Sequence, residues 1–353
     1  MRDSEDLGVV SGKMKAAVYH GPGKVTIEEV DVPQIGEGEI LVRVRAALVC
    51  GTDLKTYLRG HRLVKPPSPF GHEFAGEVAA TGRGVTRFSE GMPVVAVNSA
   101  PCNVCFFCQR GQHNLCEDIR FNWGAFAEYI RVPARVVEQN VHPIPEGLSY
   151  EEAALVEPLA CVVRGNEAAG IELGDSVVIA GGTGPIGLMH LQLAFHRGAK
   201  EVIAIGLKDE RWAVADELGV SHLIDAGSED PVERVWELTE GRGADVVIES
   251  AGLPQVWEMA LKLVRKGGTV VFFGGCPSGS KISLDTHRVH YDELTIKGSF
   301  HHTPRSVKKA LDLLAFGVVK AKPLITHELP LERLEEALLM MKEGKAVKVA
   351  ILP

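Results

Sequence analysis

No run of the 353-residue sequence reaches the ~18 consecutive apolar residues that a bilayer-spanning helix needs, so a membrane span is not expected. An excess of positive charge is missing too. Lys and Arg number 38 against 46 Asp and Glu, for a net charge of −8, and no basic stripe stands out. That balance argues against a nucleic-acid or anionic-membrane partner, because phosphate contacts need clustered cations. The opening MRDSEDLGVVSGK lacks the positive-then-apolar order of a secretory leader. A reducing, cytoplasmic setting is therefore expected, with residues 1–13 a loose extension before a strand near Met14. In that setting clustered cysteines favour metal over disulfides. Long internal repeats and low-complexity segments are also absent, and the length suits two domains.

Two textures divide what is present. From Met14 to about Val137 the chain is turn-rich and strand-like, with KAAVYH and KVTIEEV flanking a GPG turn and ILVRVRAAL alternating as a half-buried strand. From about Gly174 to Gly298, β-branched runs alternate with helical patterns: SVVIA, EVIAIG, SHLID, ADVVIES, GTVVFFGG and ELTIKGS. That rhythm predicts an α/β fold with a doubly wound parallel sheet. Residues 305–316 and 331–343 read as helices, and VKVAIL as a strand returning to the first domain. The expected division is 1–155 with 299–353, and 156–298 between them.

Four of the seven cysteines, Cys102, Cys105, Cys108 and Cys116, follow C-x2-C-x2-C-x7-C. Four thiolates complete the tetrahedral shell of a structural zinc and leave no position for substrate. An iron–sulfur cluster is the alternative reading of the same spacing. An open site needs about three ligands instead. Cys50, His72, Glu73 and Glu157 are candidates for it, although their spacing alone is a weak signal.

The run VVIAGGTGPIGLMHLQLA reads strand, glycine turn, helix. Gly182, Gly184 and Gly187 form G-x-G-x-x-G, with Pro185 and Ile186 between the last two, and the helix start would receive a pyrophosphate. The acid that would bind the ribose hydroxyls of NAD is expected about 20 residues on. That position is Gly206, followed by Lys208 and Arg211, either of which could neutralise a 2′-phosphate. NADP is therefore expected over NAD, the alternative being that Asp209 reaches the ribose.

CGTD, GHEFAGEV, the cysteine lobe, EPLA and GGTGPIG stand in an order that resembles the zinc-dependent medium-chain alcohol and polyol dehydrogenases over nearly the whole chain from Met14. The resemblance implies a β-rich GroES-like catalytic domain, a Rossmann domain and two zincs per subunit. One zinc would be structural; the other, catalytic, would be held by Cys50, His72 and Glu157 with Glu73 close by. Glutamate in EPLA is similar to the sorbitol and threonine branches. The implied activity is reversible hydride transfer between a secondary alcohol, of polyol or sugar type, and NAD(P). Threonine or a simple secondary alcohol is the alternative substrate, and a catalytically idle NADP-binding relative the alternative class. Thr52 matches a hydroxyl relay residue, while Lys55 stands where many relatives carry histidine. Pocket candidates are Tyr57, His61, Phe121, Asn122, Trp123, His301 and His302; polyol dehydrogenases have arginine at the position of His301. A homodimer or homotetramer, paired through the strand near Leu294–Phe300, is also implied.

Overall fold

The computed structural model describes residues 10–353, so most of the expected extension, residues 1–9, lies outside the described residues. The backbone groups into two compact units. The first holds residues up to Glu157 together with Thr303–Ala315 and Ile325–Pro353; the second holds Pro158–His302 and Phe316–Leu324.

Among the described residues the first unit carries a seven-stranded sheet. Its strands run Val141–Pro143, Pro93–Ala96, Glu73–Thr81, Ile40–Leu48, Lys348–Leu352 and Ile325–Pro330, with Tyr129–Val132 also on Ile40–Leu48. The alternation of ILVRVRAAL places Ile40, Val42 and Val44 in the core, with Arg43 outside. The closing KVAIL strand lies antiparallel to Ile40–Leu48 and parallel to Ile325–Pro330, so residues from both ends of the chain share one sheet. A smaller sheet pairs Lys13–Gly21 with Lys24–Asp31 across the GPG turn.

The second unit is a six-stranded, wholly parallel sheet. In spatial order its strands are His222–Asp225, Glu201–Gly206, Ser176–Ala180, Ala244–Glu249, Val264–Phe272 and Thr295–Gly298. That order, third strand to first and then fourth to sixth, is the doubly wound arrangement that leaves a ligand crevice at the carboxyl ends where the winding reverses. SVVIA is buried at every position, as expected of a central parallel strand covered on both faces.

Two segments depart from the expected division. Residues 316–324 group with the second unit because Lys320 N donates to Gln192 Oε1 at 2.7 Å, tying the segment to the helix Pro185–His196. Residues 299–302 also stay with the parallel sheet, since Ser299 N continues the ladder onto Phe272 O at 3.0 Å. His301 thus belongs to the second unit.

Candidate active site

The helix Gly51–Arg59 begins where it does because Cys50 and Asp53 cap it reciprocally. Cys50 Sγ accepts the Thr52 N–H at 3.4 Å, and Asp53 Oδ2 accepts the Cys50 N–H at 3.0 Å. Asp53 has a second task, because its Oδ1 accepts His72 Nδ1–H at 3.0 Å. One carboxylate therefore fixes the backbone of Cys50 and the ring of His72, leaving His72 Nε2 as a donor atom. Carboxylates behind metal-binding histidines serve this purpose.

Gly71 delivers His72 to this position. It sits at φ +88°, and a Cβ there would lie 2.5 Å from the Phe126 ring. Its carbonyl accepts Gly124 N at 2.9 Å and Ala125 N at 3.2 Å. The loop so anchored carries Trp123, whose ring meets His72 edge-on with centroids 5.4 Å apart. Phe121 stacks on Trp123, and Asn122 N donates to Asn98 O at 2.8 Å.

Cys50, His72 and Glu73 each offer a donor atom, all within 4.8 Å of one another. One sulfur, one nitrogen and one oxygen form a set that zinc accepts. Glu73 is fully buried, and its Oε2 lies 2.5 Å from the ammonium of Lys348, which is 1% exposed and also donates to Val49 O. Glu73 Oε1 is buried without a hydrogen-bond partner. A buried carboxylate oxygen left so, beside a thiol and an imidazole, fits a cation.

The titration directions agree. Burial and the nearby Glu73 raise the Cys50 thiol. Burial would depress His72, but Asp53 and Cys50 hold it well above the ordinary histidine value. Burial, with Glu73 and Asp53 near, lifts Glu157 to about 7 against the pull of His72 and Lys348. An acid-rich pocket of this kind holds protons until a metal replaces them.

The four lobe cysteines also lie within 4.8 Å of one another. Cys102 and Cys108 sulfurs are 4.0 Å apart and all cysteines are free, which excludes the disulfide reading among these residues. Backbone N–H groups of Cys102, Cys105 and Asp118 point at the sulfurs of Cys116, Cys102 and Cys116. Backbone bonds from Glu117 and Cys108 lower Cys105 to about 6, while burial and the neighbouring thiols push Cys108 to about 12.

Other expected residues fall elsewhere. Tyr57, an expected substrate contact, is 7% exposed, and its hydroxyl donates to the Glu335 carboxylate. His61 forms an isolated bridge with Val64. Thr52 and Lys55 are half-buried, three apart on one helix face. His301, at φ +63°, has its carbonyl held by Arg164 Nη1 at 3.0 Å, and its ring tilts against His302.

The glycine turn takes the expected form. A Cβ on Gly182 would lie 2.5 Å from that of Ala204, and one on Gly187 would lie 2.3 Å from Gly181 O. At Gly184 the nearest atom would be 3.4 Å away, so this edge is open for a ligand. The turn fits a pyrophosphate. At Gly206 a Cβ would meet Thr183 Oγ1 at 2.4 Å, so the missing acid has a packing cause. Arg211, expected to face a phosphate, is forked onto Asp209.

With this geometry in place, comparison with known proteins decides the family. Residues 36–146 match the alcohol dehydrogenase GroES-like domain, and residues 185–315 match the zinc-binding dehydrogenase domain. Sorbitol dehydrogenase of Bacillus subtilis is 34% identical, covering 98% of each chain. The chain belongs to the zinc-dependent medium-chain dehydrogenase family. L-threonine 3-dehydrogenase of Bacillus velezensis is 36% identical over 98% of this chain and all of that one. A zinc-binding dehydrogenase from Sinorhizobium meliloti, solved bound to NADP, superposes with a TM-score of 0.89 at 32% identity, covering 97% of this chain and 100% of that one.

Asp53 and Lys348 carry the site and were not among the expected residues. CGTD does contain the capping pattern, with the acid three positions after the cap. Lys348 is 275 residues from Glu73, and no local pattern links them.

Two substitutions separate these roles. Asp53→Asn keeps an oxygen for the cap but loses the charge behind His72, and should weaken zinc binding about 10–100-fold in a chelator competition. Unchanged affinity would leave Asp53 only a cap. Lys348→Met should cost about 3–5 kcal/mol in denaturant unfolding, because Glu73 would remain buried without its cation. Pairing it with Glu73→Gln should recover most of that loss; failure to recover would place the cost in packing.

Proposed function

We propose that this dehydrogenase interconverts a secondary alcohol of the polyol or sugar type with its ketone, using NAD(P). The observation that carries the reading is the convergence of Cys50, His72 and Glu73 donor atoms in a buried, acid-rich pocket. In this reading Cys50, His72 and Glu157 hold a catalytic zinc with Glu73 close by, and Cys102, Cys105, Cys108 and Cys116 hold a structural one. When bound, the catalytic zinc supplies positive charge that favours loss of the substrate's hydroxyl proton, and the nicotinamide takes the hydride.

The chain's own residues supply the rest. Asp53 holds the His72 ring in one tautomer. Lys348 holds the Glu73 carboxylate in place through their buried ion pair. Trp123, edge-on to His72, forms an apolar wall that limits water. The Thr52 hydroxyl relays the departing proton, giving up its own as it accepts the new one, with Lys55 on the same helix face beyond it.

NADP is favoured over NAD. Support comes from Lys208, an exposed cation two residues past the strand end at Gly206. Threonine is the second substrate reading, favoured by the similarity to L-threonine 3-dehydrogenase. Subunits would pair through Thr295–Gly298, the exposed outer strand of the parallel sheet, giving a homodimer or homotetramer. Light scattering should report two or four chains, and a monomer would remove that part.

The enzymatic reading expects two zincs per chain and turnover of polyols, sugar alcohols, 2,3-diols or threonine in a substrate panel run with both cofactors. Cys50→Ser should lower kcat/KM by at least about a thousandfold, equivalent to about 4 kcal/mol, while the fold persists. Full activity in metal-verified, zinc-free protein would overturn the mechanism. One zinc per chain and no turnover would favour the idle dinucleotide-binding relative. A tenfold preference for NAD in kcat/KM would overturn the cofactor assignment.

A further inference from the structure

The strand Glu201–Gly206 ends at the crevice of the second unit, and the five residues after it hold an unusual charge arrangement. Gly206 cannot carry an acid without displacing Thr183, whose side chain is 2% exposed and fills the space a Cβ would need. The other carboxylate at this edge, Asp225, is occupied: its oxygens accept Gly227 N at 3.0 Å, Lys208 N at 3.2 Å and Ser228 Oγ at 3.0 Å. Charge selection against the ribose therefore falls to Lys208, Asp209 and Arg211.

Asp209 and Arg211 neutralise each other. Arg211 Nε lies 3.0 and 3.1 Å from the two Asp209 oxygens, and Nη2 lies 2.5 Å from Oδ2. The Arg211 N–H also donates to Asp209 Oδ1 at 3.0 Å, which closes the turn leading into the helix Trp212–Glu217. Both side chains are about four-fifths buried, at 22% and 19% exposure. A bidentate, partly buried fork of this kind is among the stronger ion pairs and holds its geometry.

We infer that the Asp209–Arg211 pair is a charge latch that sets how strongly the dinucleotide site distinguishes a 2′-phosphate from a 2′-hydroxyl. The inference rests on the dinucleotide reading of this crevice. With the latch closed, neither the carboxylate nor the guanidinium is offered at full charge, which leaves the exposed Lys208 and Glu210 as the other charges of the segment. Removing the acid releases a guanidinium, which suits a phosphate dianion. Removing the guanidinium releases a carboxylate, which repels the phosphate and accepts from a ribose hydroxyl. One pair thus holds both selectivities in check.

The test is direct binding of NADPH and NADH to the zinc-loaded protein, followed by nicotinamide fluorescence at fixed ionic strength. Asp209→Asn retains an oxygen for the Arg211 N–H, so the turn keeps its closing bond. This variant should shift the NADPH-to-NADH affinity ratio about tenfold toward NADPH. Arg211→Met should shift it about tenfold toward NADH. Both shifts should shrink at high salt, as electrostatic terms do. A ratio within threefold of wild type in either variant, or shifts of both in one direction, overturns the latch. Wild-type protein that prefers NADH would sink the NADP assignment but leaves the latch standing if the variants diverge. Binding of neither dinucleotide overturns both.

Discussion

Buried negative charge is the constraint on which the first unit depends. Asp53, Glu73 and Glu157 are 2%, 0% and 6% exposed, and the Cys50 thiol lies beside Glu73. Against them stand one ammonium, Lys348, and whatever proton His72 carries. Isolated carboxylates in such surroundings cost several kcal/mol each, and one lysine offsets only one of them. The remaining charge is tolerated in one of two ways. Protons are retained, which is the direction burial drives Cys50 and Glu157, or a divalent cation occupies the donor atoms. Strand order follows from the same constraint, since Lys348 reaches Glu73 only because the last strand lies beside Ile40–Leu48, which itself pairs with Glu73–Thr81.

The second unit is governed by close approach instead of charge. Gly182 and Gly187 bring the turn against Ala204 and against its own Gly181 carbonyl, at separations where a Cβ would have to displace backbone. Thr183 then occupies the space beneath Gly206. Sequence comparison at that one position would read a cofactor preference, whereas the packing shows that glycine is required whatever the cofactor. Selectivity has to be built one step further along the loop, where side chains have room.

What was legible in the sequence follows from the range of the interactions. Period-two alternation marked Ile40–Leu48, and β-branched runs marked all six parallel strands, because these signals are local and repeated. The convergence of the cysteine lobe was legible for the same reason, with four thiols inside fifteen positions. Asp53 was half-legible: its cap is local, but its bond to His72 spans nineteen residues. The partner of Tyr57 was not legible, because its hydroxyl donates to Glu335, 278 residues away. The division of the chain erred at 316–324 for a related reason, since a single backbone bond to Gln192 leaves no pattern of its own.

The two cysteine constellations show how one residue type serves opposite ends. In the lobe, four like donors face inward with backbone N–H groups supporting the sulfurs, an arrangement that favours a filled shell and a fixed loop. What the loop fixes is specific. Arg135 holds Asp118 just past Cys116, and Ala100 and Ser99 pair with Arg120 and Phe121. The next residues are Asn122, bonded to Asn98, and Trp123, set edge-on to His72. Disturbing the lobe would therefore reach the reactive pocket through Trp123 and the fit of substrate, not through the donor atoms. At Cys50 the donors are of three kinds, and Glu73 gives one oxygen to an ammonium and leaves the other without a partner, a set that is incomplete by composition. Incompleteness is what a reacting site needs and what a bracing site must avoid.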